Sequence, residues 1–285
     1  MNDEFVAIHH SSFIIHHYQN MKFYKAFIWS NIPIALDAAA WTGLTYKALY
    51  ITTDWIMVFI AFCFTWLFYT RDRIETSPSD IINNPERTAW YASHQFIKPL
   101  MWFVVVLLLI CLIQRLVILI PALLGIVPCL LYTKPLTIKG YSFTLKALPG
   151  IKALLVTILW VILTVIFPVV TLKTYVPKNI ITELSLMIGC FVMLQINTND
   201  LRDIKGDAQE GVQSFAVLWG DKIARFIGVL LIVLGVYFGW FLFERIALLF
   251  YSVFLLVRTF FYKKEQDIFW QTPISLQGVL AYLIF

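Results

Sequence analysis

The chain has 285 residues, of which 60% are hydrophobic and only 14% are charged, and its formal net charge is +5. Soluble domains carry about 25% charged and about 45–50% apolar residues, so this composition excludes an ordinary water-soluble fold. The apolar runs are long and do not alternate with polar residues, which favours membrane-spanning helices over a membrane barrel. The net charge does not suggest nucleic-acid binding, and the positions of the basic residues are more informative than their sum.

The domain plan is simple. Residues 1–27 form a polar segment without an apolar core, so we expect no cleavable signal there. Residues 28–285 form one membrane domain that we predict to be all-α, with about nine transmembrane helices. Their approximate ranges are 28–49, 53–70, 97–114, 116–133, 150–173, 180–198, 224–243, 244–261 and 268–285.

The orientation follows from the basic residues in the connections between the predicted helices. Seventeen of the 22 Lys and Arg residues fall on the side that carries the N-terminus and the long polar connections. Basic residues concentrate in cytoplasmic loops, so we expect this side to be cytoplasmic. The predicted location is an inner bacterial membrane, with the chain as a multi-pass protein.

The helices also suggest an internal duplication. One acidic segment follows the second predicted helix and another follows the sixth, four helices later. Two four-helix halves, approximately 28–133 and 150–261, plus a ninth helix would place these segments face to face. Repeat plans of this kind commonly have a site where the halves meet.

The second acidic segment carries the strongest local pattern. Asp203 and Asp207 are four residues apart and share a helical face if the sixth helix continues past the membrane, and Asp200 lies nearly on that face. Carboxylates held so close repel one another unless a cation lies between them, and Mg²⁺ suits carboxylate and phosphate oxygens. Spacing alone favours a solvated helix end, where acids and bases mix freely.

The first acidic segment mixes acids with arginines. Asp72 and Glu75 share a helical face, Pro78 is predicted to break the helix, and Asp80 is expected to approach from a loop. Arg71, Arg73 and Arg87 are candidate ligands for phosphate oxygens, because a planar guanidinium matches them well. An alternating acid–base segment is also typical of an ordinary cytoplasmic loop.

Two further features are candidates. The connection after the fourth helix contains Tyr132, Lys134 and Lys146 and no acid, which suits a multiply charged anion or, equally, lipid headgroups. Asp37 lies inside the first helix, where a carboxylate is costly, so it is a candidate for lining a pocket.

The segment from Asp203 to Gly220 resembles the second aspartate motif of the UbiA family of intramembrane prenyltransferases. Asp203, Asp207, Gly211 and Gly220 match at the expected offsets, and Asp200 fits a longer form of the motif that also contains Arg202. Tyr132 to Pro135 is similar to the family's Tyr-Ser-x-Pro segment, and Lys146 fits the basic position that follows. The nine-helix plan agrees over almost the whole chain.

The first motif departs from the family form, which is NDxxDxxxD. Arg71 replaces the asparagine, Glu75 replaces the middle aspartate, and Asp80 is one residue late. Three carboxylates therefore survive, and only that of Asp80 is displaced.

The resemblance implies a UbiA-type bundle that transfers a prenyl group from a prenyl diphosphate to a small acceptor, aromatic or lipid-like, within the membrane. It implies Mg²⁺ held by Asp72, Glu75, Asp80, Asp203 and Asp207. The diphosphate would bind Arg71, Arg73, Tyr132, Lys134, Lys146 and Arg202. Asp200, Asp203 and Asp207 are the candidate catalytic residues, with Asp200 as the acceptor of a proton.

Three alternatives remain open at the level of sequence. A terpene cyclase on the same scaffold would need no acceptor. A lipid or ion transporter would release no pyrophosphate, and a family member without activity would serve as a scaffold in a membrane complex.

Overall fold

The structure, a computed structural model, describes most of the chain. The described residues are 22–75, 78–133, 136–138, 141–143, 148–263 and 274–285.

The described part of the chain is helical apart from one short hairpin. Its helices are α1 (22–29), α2 (Ile32–Ala48), α3 (Trp55–Ile74), α4 (Pro78–Asn83), α5 (Pro85–Ser93), α6 (Ile97–Ile113), α7 (Leu116–Thr133), α8 (Ile151–Val161), α9 (Phe167–Thr171), α10 (Lys178–Gln209), α11 (Phe215–Gly239), α12 (Arg245–Phe261) and α13 (Gln277–Ile284). A π-helical turn, Ile162–Ile166, joins α8 to α9. The strands β1 (Leu136–Ile138) and β2 (Tyr141–Phe143) pair antiparallel, with Leu136 opposite Phe143.

Several of these helices are long and apolar enough to cross a membrane. Within the described residues four meet both criteria: Trp55–Ile74, Ile151–Thr171, Lys178–Gln209 and Phe215–Gly239. The pair α5 and α6, bent by 80° at their junction, makes a fifth if it is counted as one span. Large apolar side chains such as Trp102, Phe103 and Phe250 are mostly exposed, which in a soluble protein would be unfavourable. The chain is therefore an integral membrane protein.

The bundle is packed around α10. Leu184, Met187 and Phe191 on this helix are fully buried, and Phe191 stacks on Trp41 of α2 with ring centroids 6.1 Å apart. A second core joins α3, α6, α7 and α9 to the far end of α2 through Tyr46. Because α2 contributes to both cores, it connects the early helices to the late ones.

The segment after α3 is more ordered than the sequence suggested. The predicted loop 71–96 contains the helices α4 and α5, and Asp80 lies in α4 instead of approaching from a loop. The prediction was wrong because Pro78 begins a new helix. Proline is well tolerated at the first helical position, where its missing N–H would have had no partner.

Asp37 is fully buried where α2, α10 and α13 meet. Its carboxylate accepts hydrogen bonds from the backbone N–H of Gly278, at the start of α13, and from Nε2 of Gln195 at 3.1 Å. The side chain therefore holds the last helix against the first, and it does not line an open surface.

Candidate active site

The two acidic segments come together at one end of the bundle, which we call the acidic end, where α3 ends and α10 extends beyond its neighbours. Helix α4 lies against α10 there. Asn83 of α4 donates a hydrogen bond to the carbonyl oxygen of Asp203 (3.2 Å) and accepts one from the N–H of Gly206 (3.1 Å). This double contact fixes the first acidic segment against the second.

The length of α10 explains how its acids reach this end. A 32-residue helix is about 48 Å long, whereas the hydrocarbon core of a bilayer is about 30 Å thick. Helix α10 is therefore longer than one span requires, and Asp200, Asp203 and Asp207 lie in its last turns.

The helix stops at a well-defined cap. Gly211 has a positive φ of 71°, the N–H of Val212 donates to the carbonyl of Asp207 at 2.8 Å, and the N–H of Gly211 donates to that of Ala208. This is a Schellman motif, in which glycine takes a left-handed conformation without a steric penalty. The sequence match at Gly211 therefore has a structural reason.

Lys152, near the start of α8, joins two acids of α10. Its Nζ lies 2.7 Å from Oδ1 of Asp200 and 2.7 Å from Oδ2 of Asp207. The two acids are seven residues apart, which is two helical turns, so they project from the same face. Asp203 instead forms a bidentate pair with Arg202, with both N···O distances at 2.7 Å.

The first acidic segment is also organised by ion pairs. Oδ1 of Asp80 accepts from Nη1 of Arg73 at 2.7 Å and from Nη2 of Arg87 at 2.8 Å. Arg71 donates to Glu75 one helical turn later. The carboxylate of Asp72 is 3.7 Å from Arg73, outside hydrogen-bond distance.

Burial and charge act differently on the three α10 acids. Burial raises the pKa of Asp200 to about 6, and the Lys152 ammonium limits that rise. Burial likewise raises the pKa of Asp207 against the pull of Lys152. Burial would also raise the pKa of Asp203, but the Arg202 guanidinium outweighs it and holds that pKa well below its usual range.

Arginines from both segments are close enough to affect one another. Burial, followed by repulsion from Arg73 and Arg202, lowers the pKa of Arg87 to about 9. The group is still cationic at neutral pH. Guanidiniums gathered in this way favour an anion with several oxygens.

The predicted ligands of Mg²⁺ do not form a closed metal site. Among the residues that the structure describes, no three His, Cys, Asp or Glu side chains converge closely enough to hold an ion. The predicted ligands are nevertheless all carboxylates, and carboxylate oxygens are donors that Mg²⁺ prefers. Oδ2 of Asp200 is buried, and the described chain offers it no hydrogen-bond partner. The donor chemistry therefore fits Mg²⁺.

Part of the predicted site lies beyond what the structure describes. Lys134 and Lys146 are outside the described residues, and so is the side chain of Tyr132, whose backbone belongs to α7. The remaining predicted residues lie at the ends of α3 and α10 and on α4. They are Arg71, Asp72, Arg73, Glu75, Asp80, Asp200, Arg202, Asp203 and Asp207.

The sequence indicated Arg87 only as one of several guanidiniums suited to phosphate, and it predicted no partner for Lys152, Asn83 or Arg87. Lys152 is 55 residues from Asp207 in the chain, and no spacing rule links them. Asn83 forms its hydrogen bonds with backbone atoms of α10, and a pattern of side chains along the sequence cannot predict such bonds. Arg87 lies seven residues after Asp80, a helical spacing that the break between α4 and α5 conceals.

The fold and the acidic end define a helical membrane protein with carboxylates and basic side chains from two segments gathered at one end of the bundle. The sequence profile of the UbiA prenyltransferase family matches residues 88–275, about two thirds of the chain. The chain belongs to this family of membrane enzymes, and its class is that of a prenyltransferase.

The fold is also similar to a solved structure. The match to digeranylgeranylglyceryl phosphate synthase covers 93% of this chain and 97% of that one, with a TM-score of 0.54 and 18% identity. At this identity the likeness concerns the fold alone. No curated protein sequence matches the chain significantly.

Proposed function

We propose that the protein transfers a prenyl group from a prenyl diphosphate to a small acceptor, aromatic or lipid-like, in a reaction that depends on Mg²⁺. The observation that carries this proposal is the meeting of two acidic segments, with their arginines and a lysine, at the acidic end. Asn83 fixes the two segments together, so one diphosphate could contact both.

Asp72, Glu75, Asp80, Asp203 and Asp207 would hold Mg²⁺. The ion would neutralise charge on the diphosphate as the carbon–oxygen bond breaks. The diphosphate oxygens would be bound and oriented by Arg71, Arg73, Arg202, Tyr132, Lys134 and Lys146. Arg87 would join them, because it shares Asp80 with Arg73.

Asp200 would accept the proton of the acceptor. One of its oxygens contacts Lys152, and Oδ2 has no partner in the described chain, so that oxygen is available to a bound nucleophile. The prenyl chain would lie among the apolar helices beneath this end.

The same proposal includes the membrane arrangement. Helices α2, α6 and α12 each have 17 residues, the lower limit for a span, so they join the longer helices in a bundle of about nine spans in two halves. The acidic end would face the cytoplasm of a bacterial cell, as the distribution of basic residues favours.

Pyrophosphate release by the purified protein in lipid nanodiscs tests the proposal. The protein is given Mg²⁺ and prenyl diphosphates of increasing length, with and without a lipid extract as the source of acceptor. We expect release that requires the extract and that is abolished in the double variant Asp203→Ala, Asp207→Ala. The matched control is Asp221→Ala, which removes an exposed acid of α11 that pairs with Arg225.

Release without any acceptor would indicate a cyclase instead. An absence of release under every condition would reject the enzymatic proposal.

A further inference from the structure

Lys152 forms short ion pairs with two acids of α10 at once. Its ammonium is 2.7 Å from both Asp200 and Asp207, whose side chains are 1% and 9% exposed. Arg73 also lies near two acids, but both belong to the first acidic segment, and its 3.7 Å approach to Asp72 is beyond hydrogen-bond distance. Lys152 is therefore the bridging cation of the α10 acids.

The backbone around Lys152 presents it to α10 in a fixed way. Gly150, just before α8, has a φ of +68°, and its N–H donates to the carbonyl of Gln213 at 3.0 Å. A Cβ atom at Gly150 would lie 2.9 Å from the ring of Phe215, so the two segments pack closely. The start of α8 is thus held against the segment that follows α10, and the Lys152 side chain contacts α10 itself.

The electrostatics require a cation at this point. Two carboxylates on one helical face repel each other, and burial strengthens that repulsion because the effective dielectric constant is lower. The ammonium contacts one oxygen of each carboxylate, and Oδ2 of Asp200 is buried without a hydrogen-bond partner in the described part of the chain. A divalent cation at Asp207 would have to compete with this ammonium.

We propose that Lys152 is a positioning residue, a resident counterion that holds Asp200 and Asp207 in place and weakens the affinity of the acidic end for divalent cations until a diphosphate binds. The proposal rests on the metal-dependent site described above and does not depend on the acceptor. When the diphosphate binds, its oxygens replace Asp207 as a partner of the ammonium, which frees Asp207 for the ion.

Binding of Mn²⁺ to the substrate-free protein in nanodiscs, followed by electron paramagnetic resonance, tests the inference. We expect Lys152→Met to bind Mn²⁺ about tenfold more tightly than the unsubstituted protein, because a charged hydrogen-bonding competitor is removed. Lys152→Arg keeps the charge and should bind as weakly as the original. Lys205→Met, which removes an exposed charge from the same helix, is the matched control and should change the affinity little.

The sign of the effect separates this role from a purely structural one, since a disordered site would bind Mn²⁺ more weakly. Unchanged or weaker binding in Lys152→Met, or an equal gain in Lys205→Met, would overturn the inference. If Lys152→Met does not assemble in nanodiscs, Lys152→Gln is measured instead, with the same expected direction.

The inference and the proposed function can fail separately. Pyrophosphate release by the unsubstituted protein together with unchanged Mn²⁺ affinity in the variant would overturn the role of Lys152 alone. No Mn²⁺ binding by any of these proteins would also overturn it, and the release assay would then decide the proposed function.

Discussion

Replacing Asp80 with alanine should destabilise the acidic end strongly. Its carboxylate is 14% exposed and accepts from Arg73 at 2.7 Å and Arg87 at 2.8 Å, and the Arg87 side chain is only 8% exposed. Removing one partner of a buried ion pair costs about 3–5 kcal/mol, because the remaining charge stays buried without compensation. We therefore expect Asp80→Ala to lower the free energy of unfolding by about that amount.

Asp72→Ala is the matched control. Asp72 is 38% exposed and 3.7 Å from Arg73, so its loss should cost about 0.2–1 kcal/mol, the range of exposed ion pairs. Unfolding by a denaturing detergent, followed by tryptophan fluorescence, measures both variants under the same conditions. The double variant Asp80→Ala, Arg87→Leu should recover part of the loss, since it removes the stranded charge.

Equal losses in Asp80→Ala and Asp72→Ala would refute this reasoning. So would a double variant that is less stable than the sum of its single changes, since the stranded guanidinium would not then be the cause.

Three smaller predictions concern single contacts, each measured by the same unfolding assay. Gly211→Ala should lower the free energy of unfolding by about 1–2 kcal/mol, because a φ of 71° strains any residue with a Cβ, although the surrounding space is open. Gly189→Ala, within α10, meets only ordinary contacts and should change that free energy little. Equal losses in the two variants would contradict this reasoning. Asp37→Ala should cost about 1–3 kcal/mol, since two buried donors lose their acceptor, and Asp37→Asn, which keeps a side-chain oxygen, should cost less. Asn83→Ala should cost about 1–2 kcal/mol and reduce pyrophosphate release, and full activity in this variant would show that the contact between α4 and α10 does not position the site.

The family and the second acidic segment could be predicted from the sequence because they depend on local spacing. The offsets among Asp203, Asp207 and Gly211 reflect one helix and its cap, and the structure contains both. The structure also shows that this helix continues past its predicted end at residue 198, to Gln209.

The rest depended on contacts between distant segments. Lys152 and Asn83 reach α10 from other helices, and a pattern along the chain cannot show which lysine or asparagine will do so. The sequence did not predict the helical position of Asp80, because a proline such as Pro78 is typical both of the end of one helix and of the first position of the next. The pairing of Asp80, Asp200, Asp203 and Asp207 with basic side chains also depends on side-chain geometry that the spacing does not determine.

The central claim is that the acidic end transfers a prenyl group, and it is tested most directly by following a radiolabelled prenyl chain. The protein in nanodiscs receives the labelled diphosphate, Mg²⁺ and the lipid extract, and the products are separated by chromatography. We predict that the label moves to a new acceptor-linked product in step with pyrophosphate release, and that Asp203→Ala, Asp207→Ala abolishes this transfer whereas Asp221→Ala does not. Label that stays in the diphosphate, or that is transferred equally by the double variant, would contradict the account.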